Sequence, residues 1–170
     1  MIVYCIIFKG VGNIIKVGLG YDIHKIESGG KLIIGGVVVK EGIHSVAHSD
    51  GDILAHAVID ALLGASAMAD IGEMFPKTEG NKGMNSMEAL KSVVEKVSNK
   101  GYKILSMDTI VVCAVVKLSP FREMIRENLK RVLGCDVSVK FKSGNGVGEV
   151  GRGKAIEAYA VVIVNAGSAL

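Results

Sequence analysis

The sequence predicts an α+β domain, sandwich-like in section, in which a single mixed four-stranded sheet carries helices on one face and a small hairpin at its side. Two observations predict it. Apolar spacing switches repeatedly between strand-like and helix-like periods, with a hairpin pattern near the start. The last strand pattern is apolar at almost every position, so both sheet faces must be covered: one by helices, the other by an oligomer core. A chain of 170 residues, 49% of them hydrophobic, suffices for one such domain. We place it at 16–165, with 1–15 as an N-terminal extension or extra strand and 166–170 as a C-terminal tail.

Taken in order, Lys16–His24 reads as a strand, Ser28–Gly30 as a turn, and Leu32–Val39 as a short strand and hairpin arm. Ile53–Met68 has helical spacing, and Ser49 and Asp52 before it stand three apart, like a capping box. Asp70–Gly83, dense in glycine and charge, reads as a mobile surface loop. A second helix starts near Asn85 or Ser86, turns Leu90, Val93, Val94 and Val97 to the core, and ends at Gly101. Ser106–Val116 reads as a strand. Ser119 then caps a third helix with Pro120 at its first position and Gly134 at its end. Two further strands, Asp136–Phe141 and Ile156–Val164, flank the glycine-rich SGNGVGEVGRG.

Composition narrows the function. Twenty basic against seventeen acidic side chains give a net charge of +3 without a basic tract, and there are four Phe, four Tyr and no Trp. That excludes a base-stacking nucleic-acid surface and suits a small anionic substrate. Cys5, Cys113 and Cys135 are isolated, with no CxxC pair, which points to a reducing, cytoplasmic setting and away from a cysteine-rich zinc knuckle. The apolar run IVYCIIF is too short to span a membrane. GNGVGEVGRG has neither Walker spacing nor a dinucleotide context, so nucleotide binding of either type is rejected.

The chemistry is concentrated in two stretches, GYDIH and HSDGDILAH. Asp22 and His24 are two apart on a predicted strand and so share a face, and His56 lies near the start of the first helix. Two imidazoles and a carboxylate form a set of three ligands for Zn²⁺ with a fourth position open. Asp60, four residues beyond His56, is placed to accept from its other ring nitrogen. The spacing is equally compatible with a helix cap beside incidental histidines, or with a buried, hydrogen-bonded histidine. His48, Ser49, Asp50 and Asp52 likewise fit a capped helix entry or a phosphate site.

In order, spacing and identity, GYDIH, HSDGDILAHAVIDALLGA, DIGEMFP and GRGKAIEAYAVVIV resemble the 2-C-methyl-D-erythritol 2,4-cyclodiphosphate synthase family over about residues 16–165. The resemblance implies an enzyme of the non-mevalonate isoprenoid pathway. It would convert 4-diphosphocytidyl-2-C-methyl-D-erythritol 2-phosphate to the cyclic diphosphate and CMP, as a homotrimer with active sites between subunits. It implies one zinc per subunit on Asp22, His24 and His56, and Mg²⁺ or Mn²⁺ between substrate phosphates. His48 and Ser49 would position phosphate, with His48 a donor to the transition state, and Ser143 would stand for a catalytic threonine. Asp70, Ile71 and Gly72 match a ribose and substrate stretch. Phe75, Pro76, Lys77, Thr78 and Glu79 match a flexible segment over the methylerythritol. Cys113, Ala114, Val115, Val116, Lys117, Leu118 and Ser119 match the cytidine pocket.

Several positions depart from the family pattern. Lys142, Ser143, Gly144 and Asn145 stand where a threonine-rich segment ends in glutamate, so Asn145 offers a neutral carbonyl in place of a carboxylate, and the charge of Lys142 is expected to replace part of a divalent ion's. Val116 stands for a proline, and Lys77 for an aspartate. Glu149 replaces an aromatic residue near the trimer axis and is expected to pair with Arg152 across subunits. A non-catalytic binder of CDP compounds and another metal-dependent phosphohydrolase are the competing readings. The intact Asp22, His24, His56 and His48 favour the synthase.

Overall fold

A computed structural model describes residues 9–10 and 13–167 of the chain. Its strands are β1 (Lys9–Gly10), β2 (Asn13–Ile34), β3 (Val37–Ser45), β4 (Tyr102–Val112), β5 (Asp136–Lys142) and β6 (Ala155–Gly167). Its helices are α1 (Ile53–Ala65), α2 (Ile71–Met74), α3 (Ser86–Asn99), α4 (Arg122–Leu133) and α5 (Gly148–Gly151). The main sheet runs β1-β2-β6-β4-β5, and β3 pairs with the far half of β2. Among the described residues only the β4–β5 pair is parallel. The mixed α+β architecture is as expected, but the sheet has five strands instead of four. β2 begins at Asn13, pairs with β6 as far as Gly167, and takes Lys9–Gly10 back against Ile14 and Asn13. The described part of 1–15 is therefore strand, and Ala166 and Gly167 are still sheet; residues 1–8, 11–12 and 168–170 lie outside the described residues.

The expected turn at Ser28–Gly30 is absent. β2 runs through it, and the register shift between Ser28 and Lys31 absorbs the glycines as a bulge. The chain reverses instead at Gly35–Gly36, a two-residue connection with φ of 57° and 73°, the conformation such hairpins demand and glycine supplies. Asp52 fixes this turn. Its fully buried carboxylate accepts from the amides of Gly35 (2.9 Å), Gly36 (2.6 Å) and Ala55 (3.1 Å), so one side chain both caps α1 and ties it to the β2–β3 turn. Burial pushes this carboxyl up, against the pull of the three N–H donors. The cap is thus Asp52 alone, and Ser49 is used elsewhere.

α1 ends at Ala65, three residues short of Met68, and is apolar on nearly every side because it lies between β2, β6 and α3. It approaches β2 closely. A Cβ on Gly18 would lie 1.9 Å from the Ala61 carbonyl oxygen, and one on Gly20 would lie 1.8 Å from that of Ala57. Alternation then carries Gly18, Gly20, Asp22 and His24 along the same, helix-facing side of β2.

The other helices complete the layer. α3 is capped by Asn85 and buries Leu90, Val93 and Val97, while Val94 is only half-buried. Ser119–Phe121 form a 3₁₀ turn with no side-chain cap, so α4 starts at Arg122 and not at Pro120; it ends as expected on left-handed Gly134. β4 spans 102–112 and not 106–116, because the chain leaves the sheet after Cys113 donates its amide to Lys142. Among the described residues no helix covers the opposite face of the sheet, and Leu19, Tyr21, Ile23, Tyr159, Val161 and Ile163 stand exposed on it.

Replacing Gly20 by alanine drives a methyl group into the α1 backbone. Chemical denaturation should show a loss of about 3 kcal/mol or more, with metal affinity falling as α1 is pushed from β2; wild-type stability would refute the close contact.

Candidate metal and phosphate site

The side of β2 that meets α1 ends in three ligand atoms. Asp22 Oδ2 lies 2.9 Å from His56 Nδ1 and 3.0 Å from His24 Nε2, and the donor atoms of the three residues all lie within 4.8 Å of one another. The rings of His24 and His56 meet edge to face, with centroids 5.2 Å apart. Burial pushes the Asp22 carboxyl up, but hydrogen bonds and charge from His24 and His56 outweigh it and hold the group well below the usual carboxylate range. It is a carboxylate ready to bind a cation.

The far nitrogen of each imidazole is held by a hydroxyl. His24 Nδ1 meets Ser45 Oγ at 2.8 Å, and Ser45 is buried. His56 Nε2 meets Ser49 Oγ at 2.9 Å and Ser86 Oγ at 3.0 Å. Ser86 donates its proton to Asp50 Oδ1 at 2.5 Å, and a carboxylate has none to return. Toward His56, Ser86 must therefore accept, which places a proton on Nε2 and makes Nδ1, the nitrogen beside Asp22, the one whose lone pair is available to a cation. This chain, Asp50 to Ser86 to His56, orients the ligand. The expected role of Asp60 is not observed: its carboxylate accepts from the Ile71 amide at 2.9 Å and fixes the start of α2, because His56 turns Nδ1, not Nε2, toward β2. Burial pushes the Asp60 carboxyl up, and the neighbouring Asp70 and Asp22 charges reinforce the shift against the Ile71 N–H.

A pocket of about 270 Å³ opens over the cluster, lined by Asp22, His24, His48, Ser49, His56, Ile71, Gly72, Phe75 and Lys77. Val46, Ala47, Asn81 and Met84, not singled out in the sequence, complete it. Asp70 caps α2 through the Glu73 amide at 2.9 Å. Pro76, Thr78 and Glu79 are exposed and do not line the pocket. The expected mobile loop contains α2 and a 3₁₀ turn at Glu79–Asn81, and it meets His48 at two polar points: His48 Nε2 donates to the Thr78 carbonyl at 2.7 Å, and the Gly83 amide donates to the His48 carbonyl at 2.8 Å.

A second cavity, about 380 Å³, is lined by Cys113, Ala114, Val116, Lys117, Leu118, Ser119, Arg122, Phe141, Lys142 and Ser143. Three of these are cations and none is a carboxylate. Burial pushes the Cys113 thiol up, so the wall it contributes is neutral. Val115 is held from outside, its carbonyl accepting from Lys40 Nζ at 3.2 Å. Ser143 donates to Asn145 Oδ1 at 2.8 Å, and Asn145 sits at φ 48° beside Gly144 in a tight turn. Glu149, in α5, and Arg152, just past its end, pair at 2.5 Å within the chain, with Lys154 also near Glu149. The two cavities share no lining residue.

Ser86→Ala should weaken binding of a metal ion at Asp22, His24 and His56 roughly 10- to 100-fold in a chelator competition assay while leaving the fold intact. Unchanged affinity would show that Ser49 alone orients His56.

The model of the YgbB family matches residues 15–165. The 2-C-methyl-D-erythritol 2,4-cyclodiphosphate synthase of Thermotoga neapolitana is 47% identical over 149 residues, covering 87% of this chain and 90% of the relative. That of Treponema denticola is 43% identical over 153 residues, covering 88% and 95%. Among solved structures, the IspF CDP complex of Plasmodium falciparum superposes with a TM-score of 0.79 at 36% identity, covering 90% of this chain and 97% of that one. A match to the family model over most of the chain, and to curated synthases over nearly their whole length, make this protein a member of the YgbB family.

Proposed function

We propose that the chain converts 4-diphosphocytidyl-2-C-methyl-D-erythritol 2-phosphate into 2-C-methyl-D-erythritol 2,4-cyclodiphosphate and CMP. The observation that carries this reading is the convergence of Asp22, His24 and His56 beside His48 in one pocket, in a chain related over most of its length to synthases of that name. In the reaction, a 2-phosphate oxygen bonds to the β phosphorus while the bond from that phosphorus to the oxygen it shares with the α phosphate breaks, and that oxygen leaves with CMP. The nucleophile is already an anion near neutral pH, so no strong base is required. In-line placement and relief of charge repulsion are the main tasks.

The nitrogen, nitrogen and oxygen donor set fits Zn²⁺, with Asp22, His24 and His56 as its holders. Bound there, the ion would supply positive charge beside the phosphate oxygens. The protein's own groups act around it. The Nε2 proton of His48, given to the Thr78 carbonyl in this structure, is the one available to a phosphate oxygen once the segment carrying Thr78 shifts, which couples donation by His48 to movement of that segment. Ser143 reaches the phosphates by leaving Asn145. Mg²⁺ or Mn²⁺ would be held mainly by the phosphates, since Asn145 offers only a neutral oxygen, and Lys142 contributes positive charge at the mouth of the cation-rich cavity.

A substrate with cytidine at one end and phosphorylated methylerythritol at the other requires both cavities. We infer that they meet across subunits of a homotrimer, which would also cover the exposed Leu19, Tyr21, Ile23, Tyr159, Val161 and Ile163. Isolated cysteines fit a cytoplasmic enzyme, and among the described residues no helix is long and apolar enough to cross a membrane.

Phosphorus NMR of the protein with substrate, zinc and magnesium should show CMP and the cyclic diphosphate forming in equal amounts, and His48→Ala should slow turnover by about 100-fold. An intact substrate in the presence of bound zinc would overturn the proposal. Leu19, 61% exposed, tests the assembly: Leu19→Asp should sediment as monomer and lose turnover while keeping its zinc, whereas a trimer that persists would refute the placement of the interface.

A further inference from the structure

Phe141, at the end of β5, and Arg122, at the start of α4, both line the cation-rich cavity. On β5, Val137, Val139 and Phe141 alternate toward the helical layer; the first two are buried, and Phe141, the last, is only half-buried. Its ring is held in place. The guanidinium of Arg122, first residue of α4, lies 5.0 Å from the ring centroid and donates Nη1 to the Val139 carbonyl at 2.5 Å. That bond and the cation–π contact leave little freedom to either side chain. The result is a fixed aromatic ring in the wall of a cavity whose other lining groups are two lysines, Arg122 itself, two serines, a thiol and aliphatic side chains. With so few aromatic residues in the chain, eight in all, such a ring in a cavity is not a filler.

We propose that Phe141, locked by Arg122, is the platform on which the flat pyrimidine base of the nucleotide stacks, making this pair a determinant of base binding. This rests on the reading of the second cavity as the cytidine site. The separation of roles follows from chemistry: a π face binds a planar heteroaromatic ring whatever its charge, whereas Lys117, Lys142 and Ser143 suit phosphate.

The test is calorimetric titration of the assembled protein with CMP and with ribose 5-phosphate, which lacks the base. The wild type should bind CMP more tightly than ribose 5-phosphate. Phe141→Leu, which keeps apolar bulk without the flat face, should weaken CMP roughly tenfold and leave ribose 5-phosphate unchanged. Phe141→Tyr should restore CMP affinity, and Arg122→Met should show a smaller loss of the same kind. If Phe141→Leu binds CMP as the wild type does, or Phe141→Tyr loses as much as Phe141→Leu, the platform is refuted and the pair is only a brace. Equal weakening of both ligands would assign it to the phosphate end and refute it too. A wild type that binds CMP no more tightly than ribose 5-phosphate would instead refute the cytidine reading itself.

Discussion

The site depends on how closely α1 lies on β2. Gly18 and Gly20 remove the side chains that would otherwise hold helix and sheet apart, and Ala57, Ala61 and Ala65 answer them from the helix. Helices normally ride on sheets at a distance set by large side chains; here backbone meets backbone along two turns. The first residues past this contact are Asp22 on the strand and His56 on the helix, and only at such a separation do a short aspartate and an imidazole reach each other at 2.9 Å. Asp52 closes the arrangement from the other end by tying the helix start to the hairpin turn. Stability and ligand geometry are therefore set by the same interface.

A second feature is that polar groups under the cluster are used in series. Asp50 accepts the Ser86 hydroxyl and the Ser86 and Asp52 amides, Ser86 and Ser49 meet His56, and Ser45 meets His24. Each hydroxyl sits where a ring could otherwise rotate, so the lone pairs that face the open side are selected before any cation arrives. The HSDGD stretch thus joins helix capping to ligand orientation: Asp52 caps, Asp50 and Ser49 orient, and His48 lines the pocket.

How much of this was legible follows the range of each interaction. Asp22 and His24 are two apart on a strand, so their common face could be read from alternation alone, and the helix bearing His56 from its apolar spacing. The cap is half-legible: a Ser and an Asp three apart suggest a box, but the hydrogen bonds of Asp52 also run to Gly35 and Gly36, 17 and 16 residues away in the hairpin turn. Glycine pairs mark both bulges and turns, and the alternation on either side of Ser28–Gly30 does not distinguish them. Asp60 was assigned to His56 by helical spacing, which fixes a side of the helix and not which ring nitrogen looks back along it. Ser86 lies 30 residues from His56, and no local pattern announces a contact of that range. One signal was present: with Asn85 serving as cap, the serine after it was free to point inward.

The uncovered face and the divided cavities have a common explanation in the sheet. β2 and β6 alternate strictly, so the small and ligating residues that let α1 settle on one side leave Leu19, Tyr21 and Ile23 together with Tyr159, Val161 and Ile163 on the other. A longer second layer of helices could hide them, but the chain spends its helices on the first face. The metal cluster opens beside β2 and β3, and the cation-rich cavity at the ends of β4 and β5, on the far side of β6. Within one copy the two are separated by the width of the sheet. Assembly through the apolar face would hide surface that water disfavours, and the proposed substrate needs a complete site that the separated cavities of one copy do not make.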